Sequence, residues 1–132
     1  MTSILVVDDE PHVLRLLEIS LRRAGYTVSI ANNGVQAFDK INGCPPDVLV
    51  SDIEMAGMTG MELCKKIEQE MPERAFPIYI MTSRPEMEYR NWYGGIRDLH
   101  FLEKPVSSRK LINSIQEHGH FPDDRANMKK EG

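Results

Sequence analysis

Apolar positions along the chain follow two kinds of pattern. Five short runs are rich in apolar residues: Ile4–Val7, Val28–Ala31, Val48–Val50, Ile78–Met81 and Leu99–Leu102. Several are β-branched and nearly continuous rather than alternating, which suits strands buried on both faces of a parallel sheet. Between them, apolar residues recur three or four apart, the spacing of one buried helical face. Val13, Leu14, Leu17 and Leu21 form the first such stripe, with Pro11 in its first turn and Gly25 as its stop. Asn33 is expected to cap a second helix whose apolar face holds Val35, Phe38 and Ile41. Met61, Cys64, Ile67 and Met71 form a third stripe, ending before Pro72. A fourth helix over Pro85–Trp92 is cut short by Gly94 and Gly95. Leu111, Ile112 and Ile115 form the last, after Ser107 and Ser108. The alternation predicts an α/β fold, (βα)5, with a five-stranded parallel sheet, helices on both faces and right-handed crossovers. After Glu117 the chain turns polar, so residues 1–117 are expected to form the domain and 118–132 a tail or linker.

Composition narrows the classes. A chain of 132 residues has room for one ordinary domain. With 16 Lys+Arg against 20 Asp+Glu, the net charge of −4 argues against a general nucleic-acid binder. No apolar run approaches the ~18 residues of a membrane-spanning helix. The start, MTSILVVDDE, lacks the basic region and cleavage site of a signal peptide. Two cysteines, Cys44 and Cys64, make no disulfide framework, and a reduced cytoplasmic setting is expected.

The chemistry is expected at the carboxyl ends of the strands. There stand Asp8–Asp9–Glu10 after the first strand, Asp52 after the third, Thr82–Ser83 after the fourth and Lys104–Pro105 after the fifth. Clustered carboxylates repel, and a cation or a raised pKa relieves them. Oxygen ligands with no His or Cys in these runs suit Mg2+ rather than zinc. A metal, a Lys, a hydroxyl and a carboxylate are together suited to phosphoryl transfer, with the carboxylate able to act as nucleophile.

The ordered pieces ILVVDDEP, PDVLVSDIEMAGMTGMEL, IYIMTS and FLEKP resemble the receiver domain of two-component response regulators over roughly residues 2–117. The resemblance implies a flavodoxin-like strand order of 2-1-3-4-5. It implies Asp52 as phosphoacceptor, and Asp8 and Asp9 as the acidic pair holding Mg2+ with Asp52 and the main-chain carbonyl of Glu54. Thr82 would be the switch hydroxyl, Phe101 the aromatic that moves with it, and Lys104 the partner of the phosphoryl group. Pro105 would follow a cis peptide. The implied donor is a sensor histidine kinase or a phosphotransfer protein. The implied output is a protein or domain outside this chain, with a phosphorylation-dependent homodimer as a further form. Catalysis would be limited to autophosphorylation and slow autodephosphorylation. Ala56 and Thr59 depart from the family's usual Pro and Asp, and the segment from Arg97 to Phe101 departs from its usual Gly-Ala-Asp-Asp-aromatic run.

Each feature also has a plainer reading. Asp8 and Asp9 could simply begin a helix, where acids favour the dipole. Phe101 and Cys64 could be core, and the four histidines solvated or structural. Trp92 is either a packing residue or a surface anchor for a partner; its polar neighbours favour the anchor. Glu54 and Arg84, each two residues past a site residue, are expected to pair across the site mouth. Competing functions are a metal-dependent phosphatase with an Asp nucleophile, a flavodoxin-like cofactor binder, and a receiver kept as an interaction module without phosphorylation. The acids after the first strand would repel a cofactor phosphate, which counts against the binder.

Overall fold

The computed structural model describes residues 1–118; of the expected tail at 118–132, all but His118, the last residue of the final helix, lies outside them. Strands and helices alternate without exception: β1 Ser3–Val7, α1 Pro11–Arg23, β2 Thr27–Ala31, α2 Gly34–Gly43, β3 Val48–Asp52, α3 Gly60–Glu70, β4 Ile78–Thr82, α4 Pro85–Asn91, β5 Leu99–Glu103 and α5 Ser108–His118. A short 3-10 turn, Tyr93–Gly95, follows α4. The five strands are all parallel, in the order β2-β1-β3-β4-β5. The fold class is the one expected from the sequence, and the strand order the one the family resemblance implies.

Alternate residues of each strand face opposite sides of the sheet, so the core divides in two. Leu5, Val7, Leu49, Ile78 and Ile80 pack against α2 and α3 through Phe38, Ile41, Leu63 and Ile67. Ile4, Val6, Val48, Val50 and Met81 pack against α1 and α5 through Leu14, Leu17, Leu21, Leu111 and Ile115. The Tyr79 hydroxyl donates to the Ser114 carbonyl at 3.0 Å, tying the sheet to α5.

Most helix signals act as expected. Asn33 accepts from the Gln36 N–H at 2.8 Å, capping α2. Gly25 leaves α1 with φ of +100°, a conformation that other residues enter only with strain. α3 starts with a capping box: Thr59 accepts from the Glu62 N–H, and Glu62 accepts from the Thr59 N–H. Thr59 is thus a helix cap in its own right. Two faces are rotated from the expected ones. Val35 is exposed, and α2 buries Gly34, Ala37, Phe38 and Ile41 instead. Leu63 and Gly60 lie on the buried face of α3, where Met61 is only half-buried.

α4 is the exception among the helices. Its seven residues include none that is buried, and Met87 and Tyr89 are exposed. Trp92, just beyond it, corrects the surface-anchor expectation. It is half-buried, packs against the α2–α3 side of the core and meets Phe101 edge-on at 5.4 Å.

At the amino-terminal rim of the sheet lies a second charged group. Arg74, 2% exposed at its side chain, pairs with Glu68 at 3.1 Å and donates to the Phe76 carbonyl and to that of Arg97. Arg97 Nε completes the group 3.0 Å from Glu68. The Arg74 Nε is buried with no partner among the described residues. Burial alone would raise the Glu68 pKa, but Arg97 and Arg74 outweigh it and hold the carboxyl below its ordinary value.

Candidate functional site

Parallel strands bring all their carboxyl ends to one rim. Asp8 follows β1, Asp52 closes β3, Thr82 closes β4 and Lys104 follows β5. Asp8, Asp52 and Thr82 are buried, while Asp9 is exposed. Asp8, Asp9 and Asp52 each present a carboxylate oxygen within 4.8 Å of the other two. Lys104 Nζ lies 2.5 Å from Asp52 Oδ1. The rim thus joins residues spread from position 8 to position 104.

Local structure aims these groups. Asp8 Oδ1 accepts from the Glu10 N–H at 2.9 Å, and Asp9 Oδ2 accepts from the Ala56 N–H at 3.2 Å. The second bond ties the first acidic turn to the loop after Asp52. Gly60, which the sequence reading passed over, sets the other wall. Its N–H donates to the Ile53 carbonyl at 2.8 Å, and a Cβ there would fall 2.4 Å from the Asp52 carbonyl oxygen. Only glycine lets α3 press so closely on the end of β3. The signal in the sequence was the Thr-Gly pair directly before a helical stripe. The Lys104–Pro105 peptide is cis, as the family resemblance implied.

The electrostatics show a site short of positive charge. Burial pushes the Asp8 carboxyl up to about 6, and Asp52 adds to the rise. Burial also raises Asp52, although Lys104 and the Ile53 and Glu54 N–H groups oppose it. Burial lowers Lys104, but Asp52, Asp8 and Glu54 more than compensate, so its ammonium is held charged. Asp52 Oδ1 is buried, and its close contact is the ion pair with Lys104. A hard divalent cation fits this donor set: carboxylate oxygens within a few ångströms and one with spare acceptor capacity.

Thr82 and Phe101 flank the acids. Thr82 Oγ1 donates to Glu88 Oε2 at 2.9 Å and accepts from the Arg84 N–H at 3.1 Å. Phe101 is half-buried and meets Tyr89 edge-on at 4.7 Å. The expected Glu54–Arg84 pair is not formed. Both side chains are exposed, and among the described residues no ion pair joins them. Arg84 instead caps α4 through its backbone, and the acid that engages the Thr82 hydroxyl is Glu88, one turn into that helix. Spacing alone put Glu54 and Arg84 near the mouth but carried no information on which way α4 would turn.

The family model for the response regulator receiver domain matches residues 4–116, and the chain belongs to that family. The chain is 36% identical over 112 residues to the alkaline phosphatase synthesis transcriptional regulatory protein PhoP of Bacillus subtilis, covering 83% of this chain and 45% of that protein. It is 36% identical over 119 residues to the response regulator ArlR of Staphylococcus epidermidis, covering 88% and 52%. The chain thus spans about half the length of these curated relatives. Among solved structures it resembles the chemotaxis protein CheY4 of Vibrio cholerae, with a TM-score of 0.81, 28% identity and coverage of 89% of this chain and 98% of that one. It also resembles the response regulator TrrA of Thermotoga maritima in complex with Mg2+ and BeF, with a TM-score of 0.77, 27% identity and coverage of 89% and 99%. Family membership does not favour the phosphatase, the cofactor binder or the unphosphorylated module.

Proposed function

We propose that Asp52 takes a phosphoryl group from the phosphohistidine of a sensor histidine kinase or phosphotransfer protein. The observation that carries this is the buried Asp52 carboxylate, set among Asp8, Asp9 and Lys104 at the ends of three strands. An Asp52 oxygen attacks phosphorus, and the phosphorus–nitrogen bond breaks. Its electron pair stays on the imidazole, which takes up a proton. The product is an aspartyl phosphate; water later attacks its phosphorus, releasing inorganic phosphate and restoring the carboxylate.

The chain's own groups have separable roles. Asp8, Asp9, Asp52 and the main-chain carbonyl of Glu54 would hold Mg2+, which when bound offsets charge on the phosphoryl oxygens. Lys104 pairs with Asp52 at rest and with the phosphoryl oxygens afterwards. Thr82 donates its hydroxyl proton to one of those oxygens, and Phe101 moves with it. The reading takes residues 1–117 as the receiver and the remainder as a tail. It includes an output protein or domain outside this chain and, after phosphorylation, association with a second copy. A cytoplasmic setting belongs to the same reading and is supported by the family and by two unpaired cysteines.

Labelling with a small acyl phosphate tests it. The wild type should gain one phosphoryl group only with Mg2+ present, and Asp52→Asn should gain none. Equal labelling of both proteins would move the acceptor elsewhere. No labelling of the wild type or of Asp52→Asn would replace the switch with an interaction module.

A further inference from the structure

Glu88 lies outside the acidic rim, yet it holds the Thr82 hydroxyl. Its two carboxylate oxygens face different partners. Oε2 accepts from Thr82 Oγ1 at 2.9 Å, and Oε1 accepts from Trp92 Nε1 at 2.6 Å. Trp92 in turn meets Phe101 edge-on at 5.4 Å, and Tyr89 meets the same ring at 4.7 Å. One carboxylate thereby connects the end of β4 to the end of α4 and to the aromatic on β5.

A threonine hydroxyl has a single proton to donate. In this structure that proton goes to Glu88, while the Arg84 N–H occupies a lone pair on the same oxygen. Thr82 is adjacent in register to the site: Asp52 pairs with Met81 across β3 and β4, and Thr82 is the next residue. A phosphoryl oxygen on Asp52 and the Glu88 carboxylate are therefore rivals for one donor.

We propose that Glu88 is a positioning residue that holds Thr82 in the resting state and transmits its release to Trp92. This rests on the reading of Thr82 as a donor to the phosphoryl group. When that group draws the Thr82 proton, Glu88 loses one of its two donors. Its grip on Trp92 changes, and so does the packing of Trp92 and Tyr89 on Phe101. α4 buries no side chain of its own, so little else holds it against such a change.

The two bonds can be separated by substitution. In Glu88→Gln, the amide oxygen still accepts from Trp92 while the amide nitrogen donates to Thr82, freeing the hydroxyl proton. Glu88→Ala removes both bonds. Thr82→Val removes the donor at nearly constant shape. Trp92 is the chain's single tryptophan, so its fluorescence and its indole N–H resonance report on the far end of the chain of bonds.

The experiment uses the full chain with Mg2+ and beryllofluoride, and separately with an acyl phosphate, the added mass being read in the same samples. In the resting protein, Thr82→Val should shift the Trp92 indole resonance. On binding, wild-type Trp92 emission should change. Glu88→Gln should keep near-resting Trp92 emission before ligand and bind beryllofluoride about five- to tenfold more tightly, because a charge-assisted bond no longer has to be broken. Glu88→Ala should show altered emission before any ligand is added. An unmoved indole resonance in Thr82→Val overturns the proposal. So does labelling of Asp52 with unchanged Trp92 emission, or wild-type affinity in Glu88→Gln. Failure of all proteins to label or bind overturns the phosphoacceptor reading and this proposal with it, whereas labelling without the Trp92 response overturns the proposal alone.

Discussion

The two rims of the sheet carry opposite solutions to the same problem. At the amino-terminal rim, Arg74 is buried but almost fully engaged, with a carboxylate and two carbonyls around its guanidinium. At the carboxyl rim, three acids face one lysine, which is paired with the buried Asp52. Their pKa shifts differ in sign as well: Glu68 is held low, while Asp8 is pushed up to about 6. A charge cluster serving stability has its partners inside the chain. One serving function leaves a deficit that something from outside must fill.

The largest expected effect that would break this comparison is at Arg74. Arg74→Ala leaves two carbonyls without their donor and Glu68 with Arg97 alone, and should destabilise the domain by about 2–4 kcal/mol in urea unfolding. Asp52→Asn at the other rim should leave stability in metal-free buffer unchanged or raise it by about 1 kcal/mol, since it removes a buried like charge. A large loss from Asp52→Asn would abolish the distinction.

Gly60→Ala comes next. The added Cβ meets backbone rather than a flexible side chain. A loss of about 1–3 kcal/mol is expected, with Asp52 labelling reduced beyond what the unfolded fraction explains. Labelling that falls only in proportion to unfolding would make Gly60 a packing residue and no more.

The pH dependence sharpens the contrast without any substitution. Asp8 has a folded pKa above its ordinary value of 3.8, so the native state binds more protons between about 4 and 6. Its contribution to stability is therefore greatest below about 4 and declines as pH rises through 6. Glu68 has a folded pKa below 4.5, so its contribution is present above that value and is lost as pH falls through the lower one. Metal-free protein should show a higher urea midpoint near pH 5 than at pH 7 or in stronger acid. Asp8→Asn should flatten the neutral side of that curve and Glu68→Gln the acid side; the reverse assignment would invert the comparison.

The smallest effect is at Arg84. With no bond to Glu54, Arg84→Ala should change the lifetime of the aspartyl phosphate by less than about twofold, as befits an exposed charge. A much shorter lifetime would restore the pairing across the mouth.

The strands and the acid rim were legible because their signals are strong and local. Runs such as ILVV and VLV can hardly be anything but buried strands, and the acids stand directly at their ends. What escaped depends on the angle of approach between elements. Val35 and Ala37 both fit a helical stripe, and only the position of α2 against the sheet puts Ala37 inside. Gly60 carries no side-chain chemistry, so its importance appears only when the Asp52 carbonyl comes within reach. Trp92 sits among polar residues in sequence, yet at the end of α4 its ring packs on the core and on Phe101. Glu88 was one of two acids on a helix that buries none of its residues; its choice of Thr82 over solvent is a tertiary fact.

The parallel order of the strands has a consequence for when the site comes into being. No two of Asp8, Asp52, Thr82 and Lys104 share a strand, and β5, which delivers Lys104, is the last strand to be made. A chain emerging from the ribosome would expose its acids long before the lysine that partners Asp52. The site therefore waits on the late half of the sheet: Lys104 can meet Asp52 only after β4 and β5 have added beside β3, and such non-local closure is slow.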